Sequence, residues 1–430
     1  MAAEPFPLLP SLWHATAVAA PATPPLTQAA ETEVVVIGAG YAGLSTALHL
    51  AEKGIGVIVL EAREPGWGGS GRNGGQVIPG VKYDPDELEQ KFGQKAGAAM
   101  ADFMGRTADN VFRLIDQHRM DVPHIRNGWI QGAHSRSGLA EASSRAAQWQ
   151  RRGVDAKLLD KAGIADHLGN DAYLGGWLDP RGGAIQPLSF ARELCRAAQA
   201  AGAIVHGDTP VERIEKDGAG WKLTTGSGVT VKARKVVVCT NGYSKGLVPG
   251  VERTMIAPNS FQVATAPLSD NLRKSILPYG QVSSDTRKLL LYFRLDHQGR
   301  LLMGGRGPFR EPTDASDWGQ LERVAVRFYP QVQGSTFEYR WCGRVAITQD
   351  FLPHLHEPEP GLIVNVGCQG RGIGLETSMG IALADYCATE RSEALPFPIT
   401  PVKPIPFHAL QELYVAAMVA WYRLSDAALG

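Results

Sequence analysis

The chain has 430 residues, enough for more than one compact unit, and its 43 Lys and Arg balance its 43 Asp and Glu. That neutrality supplies no overall field for nucleic acid or an anionic membrane surface. Five cysteines, Cys195, Cys239, Cys342, Cys368 and Cys387, form no C-x-x-C pair; this argues against a disulfide framework and a zinc site and fits a reducing compartment.

Residues 1–30 are rich in Pro and Ala but lack the basic start and unbroken apolar core of a signal peptide. They read as an irregular arm. No stretch offers the roughly 18–20 apolar residues that span a bilayer, so a soluble, cytoplasmic protein is expected.

Residues 34–61, VVVIGAGYAGLSTALHLAEKGIGVIVLE, carry the strongest local pattern. A β-branched run predicts a strand buried on both faces. A G-x-G-x-x-G loop follows at Gly38, Gly40 and Gly43, then a helical pattern that Gly54 would stop, then a second strand ending on Glu61. Gly38 suits a tight turn, Gly40 lets a pyrophosphate approach the backbone, and Gly43 lets helix and strand pack closely. The helix N-terminus offers free N–H groups to phosphate. Glu61 can accept from ribose hydroxyls and would repel a 2′-phosphate. Together these predict a dinucleotide site, with Tyr41, Ala42, Ala62 and Arg63 beside it, but do not say which dinucleotide.

Residues 64–76, EPGWGGSGRNGGQ, are too rich in glycine for helix or strand. Arg72 and Asn73 at their centre predict backbone lying close to a large planar ligand. Two amphipathic helices are expected next, one from about Asp86 and one carrying Phe103, Val111, Leu114 and Ile115, then an exposed helix over 139–152. From Pro187 the pattern is α/β again: a helix, a strand at 203–205, a hairpin of 221–225 with 229–232, and a buried strand at 235–239 ending in the turn Thr240, Asn241, Gly242. Strand-like runs at 261–265, 289–295 and 300–303 suggest an antiparallel sheet. Residues 362–366 read as a strand, and Gly370-Arg371-Gly372-Ile373-Gly374-Leu375 as a glycine-rich turn into a helix that can stabilise negative charge. Residues 410–424 read as a core helix, or alternatively as an interfacial one. No H-x-x-x-H spacing occurs and no metal is expected; hydrolase chemistry lacks support.

Taken together, SLWHATA (11–17), GWGGSGRNGGQ, GGAIQPL (182–188), YRWCG and the PF…WYRLSD tail resemble the D-amino-acid-oxidase-type (DAO) family of flavin amine oxidoreductases, particularly its γ-glutamylputrescine oxidoreductase branch. The resemblance implies an α/β (α+β overall) protein: a Rossmann-like FAD-binding domain assembled from 31–85, 176–245 and 341–395, a substrate domain with an antiparallel sheet from 86–175 and 246–340, and a tail over 396–430. It implies that Ser70, Gly71, Arg72, Asn73, Gly74, Gly75 and Gln76 line the ribityl chain and flavin, that Val211 touches the adenine side, and that Gly370 to Leu375 flank the ring. It also implies non-covalent FAD, since the family's flavin-linking cysteine would align with Gly343 rather than Cys342.

Two departures stand out. Arg371 replaces the histidine of the usual G-x-S-G-H-G loop, where it can stabilise reduced flavin or pair with a substrate carboxylate. Leu301, Leu302 and Met303 stand where oxygen-using relatives carry a lysine. The expected activity is oxidation of an amine or amino acid by hydride transfer to flavin N5, with the imine hydrolysing to an aldehyde or keto acid. Tyr292, Arg306 and Arg344 are candidate substrate contacts, and oxygen or another electron acceptor is the second partner. An NAD-dependent dehydrogenase and a non-catalytic flavin-binding subunit are the alternatives.

Overall fold

Two eight-stranded sheets carry the chain in the computed structural model, which describes residues 11–428. The first grows from the predicted βαβ unit. Strand Ala30–Ile37 runs parallel between Val57–Leu60 and Thr230–Val238, and Val34 to Ile37 are buried on both faces, as a β-branched run predicts. Leu362–Val366 joins the same sheet parallel to Thr230–Val238, so the chain returns after more than a hundred residues to complete it. Helix Gly372–Thr389 then crosses helix Tyr41–Glu52 at close range. A methyl group on Gly380 would lie 2.5 Å from the Ser45 Cβ, and Ser45 Oγ donates to the Thr377 carbonyl at 2.7 Å.

The second sheet runs in the order Phe337–Arg344, Asn259–Thr265, Leu301–Arg306, Tyr292–Leu295, Val282–Asp285, Trp129–Ala133, Gly175–Asp179, Lys157–Leu159. It is antiparallel except where Val282–Asp285 lies parallel to Trp129–Ala133. Its core is aromatic, with Phe261, Phe293, Trp318 and Tyr329 at or near zero exposure.

Several elements differ from the sequence pattern for identifiable reasons. The two strands expected at 229–232 and 235–239 are one, Thr230–Val238: its first residues pair with the hairpin strand Gly220–Thr225 and its last three with Leu362–Val364. Three helices, Pro85–Phe92, Gln94–Gly105 and Thr107–Gln117, occupy the stretch where two were expected. Gly93 adopts φ +82, which breaks the first pair, and Arg106 serves as both C-cap and N-cap between the others. The exposed helix at 139–152 is Arg136–Arg151, and it buries Ala142, Ala146 and Trp149.

The expected irregular arm is ordered where it is described; residues 1–10 lie outside the described residues. Ser11 caps a short helix, Leu12–Thr16, whose Leu12 and Trp13 are completely buried. Trp13 meets Trp341 edge to face at 5.7 Å, and the Arg294 guanidinium lies 4.9 Å from its ring. At the other end, helix Gln411–Ala428 is not the core helix expected. Val415 is buried, but Leu413, Trp421 and Leu424 are 70, 65 and 69% exposed. The helix is tied down by Asp426, which accepts from the backbone amides of Lys288 and Leu289 at 3.0 and 3.1 Å. Among the described residues no helix is long and apolar enough to cross a membrane.

Because Trp13 fills a closed space between the sheets, Trp13→Ala is expected to cost about 3–5 kcal/mol, read as a lowered denaturation midpoint of the cofactor-free protein. Trp13→Phe, which keeps most of the buried ring, is expected to lose much less. Equal midpoints for Trp13→Ala and the parent chain would show that the segment is a passenger.

Candidate active site

The glycine loop is shaped by steric necessity. Gly38 has φ +101, and a methyl group on Gly43 would lie 1.9 Å from the Gly38 carbonyl oxygen. Gly40 precedes helix Tyr41–Glu52, whose start carries no acidic residue. The Glu61 carboxylate spans the loop, accepting from the Ala39 amide at 2.7 Å and the Arg63 amide at 3.0 Å. Burial pushes its pKa up, opposed by the N–H groups of Ala39, Arg63 and Ala62. Its own carbonyl accepts from Thr209, two residues before Val211 opens the next strand. A partly buried acid beside a helix N-terminus and a glycine turn fits the ADP half of a dinucleotide.

The 69–76 loop is held from two directions. On one side Ser70 Oγ accepts from the Tyr41 amide at 3.0 Å. The Tyr41 hydroxyl shares its proton between the carbonyls of Ser70 and Pro187, at 2.6 and 3.0 Å, and accepts from Asn73 Nδ2 at 3.1 Å. Asn73 Oδ1 in turn accepts from the Gly75 amide. On the other side, the Arg72 carbonyl accepts from Gln262 Nε2 at 2.7 Å and Trp341 Nε1 at 3.0 Å, and the Asn73 carbonyl accepts from Trp13 Nε1 at 2.7 Å. Gln76 Nε2 donates to the carbonyls of Ser283 and Phe293. Gly71, buried in the 3-10 turn, and Gly74 leave room for neighbours: a methyl on Gly74 would lie 2.8 Å from the Tyr292 ring. The Arg72 guanidinium stacks 4.1 Å from the Trp67 ring, with Nη2 buried and unpartnered.

The return segment closes the cradle. Asn241, at φ +43 in the Thr240–Gly242 turn, accepts from the Gly367 amide at 3.0 Å through Oδ1. Gln369, also left-handed at φ +50, donates from Nε2 to Thr348 Oγ1 at 2.7 Å and to the Leu352 carbonyl at 3.0 Å. That fixes the Gly370–Gly372 turn, and the helix begins at Gly372, so Ile373, Gly374 and Leu375 are helical rather than loop. Arg371 sits at the helix N-cap with its guanidinium 4.6 Å from the Trp129 ring. Its Nη1 is buried and unpartnered. Burial, then the nearby Arg145, bring its pKa down to about 10. The nearest acids are committed elsewhere, Asp84 to Arg145 and Asp179 to Arg181.

The remaining candidates are spread along the second sheet. The Tyr292 hydroxyl hydrogen-bonds Ser260 Oγ at 2.9 Å, and burial pushes its pKa far up. A methyl on Gly304 would lie 2.1 Å from the Tyr292 ring, so that glycine makes room for it. Ser260 is paired in register with Arg306. Arg344 donates to Glu311 Oε1 at 2.8 Å beside a cleft of ≈ 230 Å³ that Asn241 and Asn259 also line. Tyr292 therefore stands near the 69–76 loop, Arg306 opposite Ser260 on the neighbouring strand, Arg344 near Tyr243, and Arg371 against Trp129. The residues that organise the site but escaped sequence reading, Gln262 and Trp129, carry no local motif; each acts through a partner distant in sequence.

Two short spacings have ordinary explanations. Gly242 to Gly246 match G-x-S-x-G, but Ser244 Oγ donates to the Asn241 carbonyl and bonds Thr240 Oγ1. His354 and His356 form an H-x-H pair, in which His354 bonds Asp350 at 2.9 Å and His356 the Thr400 carbonyl at 2.8 Å. Burial pushes the Asp350 carboxyl up, yet His354 and the Leu352 amide outweigh it and leave a pKa of about 2. Among the described residues no group of three metal-ligating side chains forms.

Comparison with known proteins agrees with this geometry. Residues 33–386 match the family model DAO, FAD dependent oxidoreductase. The chain is 30% identical over 410 residues to γ-glutamylputrescine oxidoreductase of Escherichia coli, covering 93% of this chain and 94% of that one. It is 31% identical over 373 residues to the probable oxidoreductase OrdL of Haemophilus influenzae, covering 84% of each. In fold it resembles glycine oxidase from Geobacillus kaustophilus, with a TM-score of 0.73 at 21% identity over 86% of this chain and 99% of that one. The cradle around Gly38, Glu61 and the 69–76 loop suits FAD, and the reading as an NAD-dependent dehydrogenase gives way to it. The chain belongs to the DAO family of FAD-dependent oxidoreductases.

Proposed function

We propose that this protein oxidises the C–N bond of an amine that also carries a carboxylate, with a γ-glutamylated amine such as γ-glutamylputrescine as the leading candidate and a secondary amino acid next. The observation that carries this reading is Arg371, whose Nη1 is buried without a partner while the neighbouring acids are already paired. A buried guanidinium without an anion is costly, and a substrate carboxylate would offset that cost through a charge-assisted hydrogen bond. A free polyamine brings positive charge instead and is disfavoured.

In this reading, Gly38, Gly40, Tyr41, Ala42, Gly43 and Glu61 to Arg63 hold the ADP half of FAD, Val211 and the Thr240–Gly242 turn flank it, and residues 70–76 with 370–375 cradle the ring. The cofactor domain is built around the first sheet and takes 31–85, 176–245 and 341–395, less the residues of the second-sheet strands Gly175–Asp179 and Phe337–Arg344 that fall inside those ranges. FAD supplies the hydride acceptor at N5. The chain's part is to orient the α C–H bond against it, with Tyr292 and Arg306 forming the wall and Arg371 anchoring the carboxylate. The amine gives up its proton on entering this desolvated site, so no residue need act as an obligatory base. The imine hydrolyses in water. The cofactor is non-covalent: Cys342 is buried in the second core with its thiol pushed up to about 12 by burial, while neighbouring Gly343 faces Arg72. The apolar Leu301-Leu302-Met303 strand supports an acceptor other than oxygen, and a cytoplasmic location fits the free cysteines.

An anaerobic screen tests the substrate. The yellow protein is expected to bleach with γ-glutamylputrescine and not with putrescine; bleaching by putrescine alone would sink the reading, and bleaching by no amine would favour a flavin-binding subunit without catalysis. Arg371→Gln is expected to lower kcat/KM for a carboxylate-bearing substrate by about 10- to 150-fold, corresponding to ~1.5–3 kcal/mol for a charged hydrogen bond. The decarboxylated analogue should be unaffected. In stopped-flow measurements, reoxidation by air is expected to be slower than by a quinone or dye acceptor.

A further inference from the structure

Glu376 has no role in the scheme above, yet it is one of the most deeply placed acids in the molecule. It lies in the first turns of helix Gly372–Thr389 at 6% exposure. Its Oε2 accepts from Asn365 Nδ2 at 2.6 Å and its Oε1 from Asn241 Nδ2 at 3.3 Å. Asn365 belongs to strand Leu362–Val366, and Asn241 to the turn that also fixes the Gly367 amide. One carboxyl group therefore ties together the turn at 240–242, the strand before the 367–371 loop, and the helix that follows it.

What surrounds it is neutral. The titratable groups that face it are the thiols of Cys239, at the end of strand Thr230–Val238, and Cys368, in the loop; both are pushed up by burial and then by Glu376 itself. Among the described residues no lysine, arginine or histidine forms an ion pair with it. Nearby, the Asn365 Oδ1 is buried and unpartnered. Burial disfavours the Glu376 anion more than its amide donors favour it, and the acid can place its O–H on Asn365 Oδ1 once that amide is turned over. The site also adjoins the glycine turn, since a methyl on Gly38 would lie 3.0 Å from the Cys239 carbonyl oxygen.

We propose that Glu376 is a proton-holding positioning residue of the FAD cradle, neutral when the cofactor is bound, and that it makes cofactor retention dependent on pH. The inference rests on the assignment of the FAD diphosphate to the Gly38–Gly43 turn. The diphosphate adds negative charge to a region where Glu376 has no cation to compensate it, so bound FAD and an ionised Glu376 oppose each other.

Burial pushes the Glu376 pKa up to about 7, with the Asn365 hydrogen bond pulling the other way. The sign follows from linkage. If FAD binds the protonated form better, binding raises the pKa further. Affinity is then fully present below about pH 7 and falls as pH rises through and beyond that value, by at most about tenfold per pH unit. A neutral isostere at 376 removes the dependence, because it carries no titratable proton; its single carbonyl oxygen keeps the bond from Asn241, and its amide nitrogen can donate to Asn365 Oδ1 once that amide is turned over.

Equilibrium binding of FAD to the cofactor-stripped chain, followed by flavin fluorescence from pH 6 to 9, decides the matter. The parent chain is expected to lose affinity by about 3- to 50-fold between pH 7 and 9. Glu376→Gln is expected to change less than twofold over the same range. Glu376→Thr, smaller and also neutral, provides a second pH-flat variant should the Gln variant fold poorly. A flat profile for the parent chain, or the parent slope retained in both variants, would overturn the proposal. Failure of the well-folded parent chain to bind FAD at any pH would instead remove the cofactor assignment on which it rests.

Discussion

The backbone of residues 69–76 has its polar groups satisfied by both halves of the molecule at once, and the site depends on that. A glycine-rich loop has little side-chain bulk to pack and would stay mobile on its own. Here its carbonyls are claimed by Tyr41 and Asn73 from the first body and by Gln262, Trp341 and Trp13 from around the second. Each bond is worth only about 0.5–1.5 kcal/mol in net stability. Their joint effect is to place one short stretch of backbone in register with both sheets, which also meet where Arg371 lies on Trp129 and Tyr243 accepts from the Arg344 amide. The contact between the two sheets and the proposed cofactor cradle thus share one stretch of backbone.

That arrangement explains why arginines recur along it. Arg294 is buried over Trp13, donates to the Ile185 carbonyl at 2.9 Å, and has its pKa brought down to about 10 by burial. A methyl on Gly75 would lie 2.4 Å from its Nη2, so this loop position has no room for a side chain. Arg72 stacks on Trp67, and Arg371 lies against Trp129. In each case an aromatic face stabilises a cation that the interior would otherwise expel, by roughly 0.5–2 kcal/mol. These contacts let positive charge stand inside the protein beside aromatic faces rather than against a carboxylate that would cancel it.

Much of this was legible in the sequence, and the boundary between what was and was not is physical. The 34–61 unit could be read because its parts are neighbours: strand, turn, helix and acid are all specified within one supersecondary element. The 64–76 segment could be read as neither helix nor strand because so many glycines leave little side-chain bulk to define either. By contrast, Trp13 looks like an incidental aromatic in a proline-rich arm until Asn73 and Trp341 are placed beside it. Helix 411–428 has the composition of a core element, and only the fold shows that its apolar stripe remains at the surface. Glu376 follows two glycines in an apolar helix, where an acid would ordinarily be placed on the solvent face. Its burial follows from helix Tyr41–Glu52 and the 365 strand converging on it, a long-range fact with no local trace.

The crossing of helix Gly372–Thr389 over helix Tyr41–Glu52 has a consequence for how the molecule comes into being. From Tyr41 to Gly372 is 331 positions, so the first helix of the cofactor cradle leaves the ribosome long before its packing partner exists. At ~5–20 residues per second that interval is about 15–70 s. During it the βαβ unit lacks the Leu362–Val366 strand and the helix that covers one of its apolar faces. The second sheet, by comparison, has all its strands by Arg344. The second sheet is therefore complete before the first, which is begun earliest in the chain and closed last.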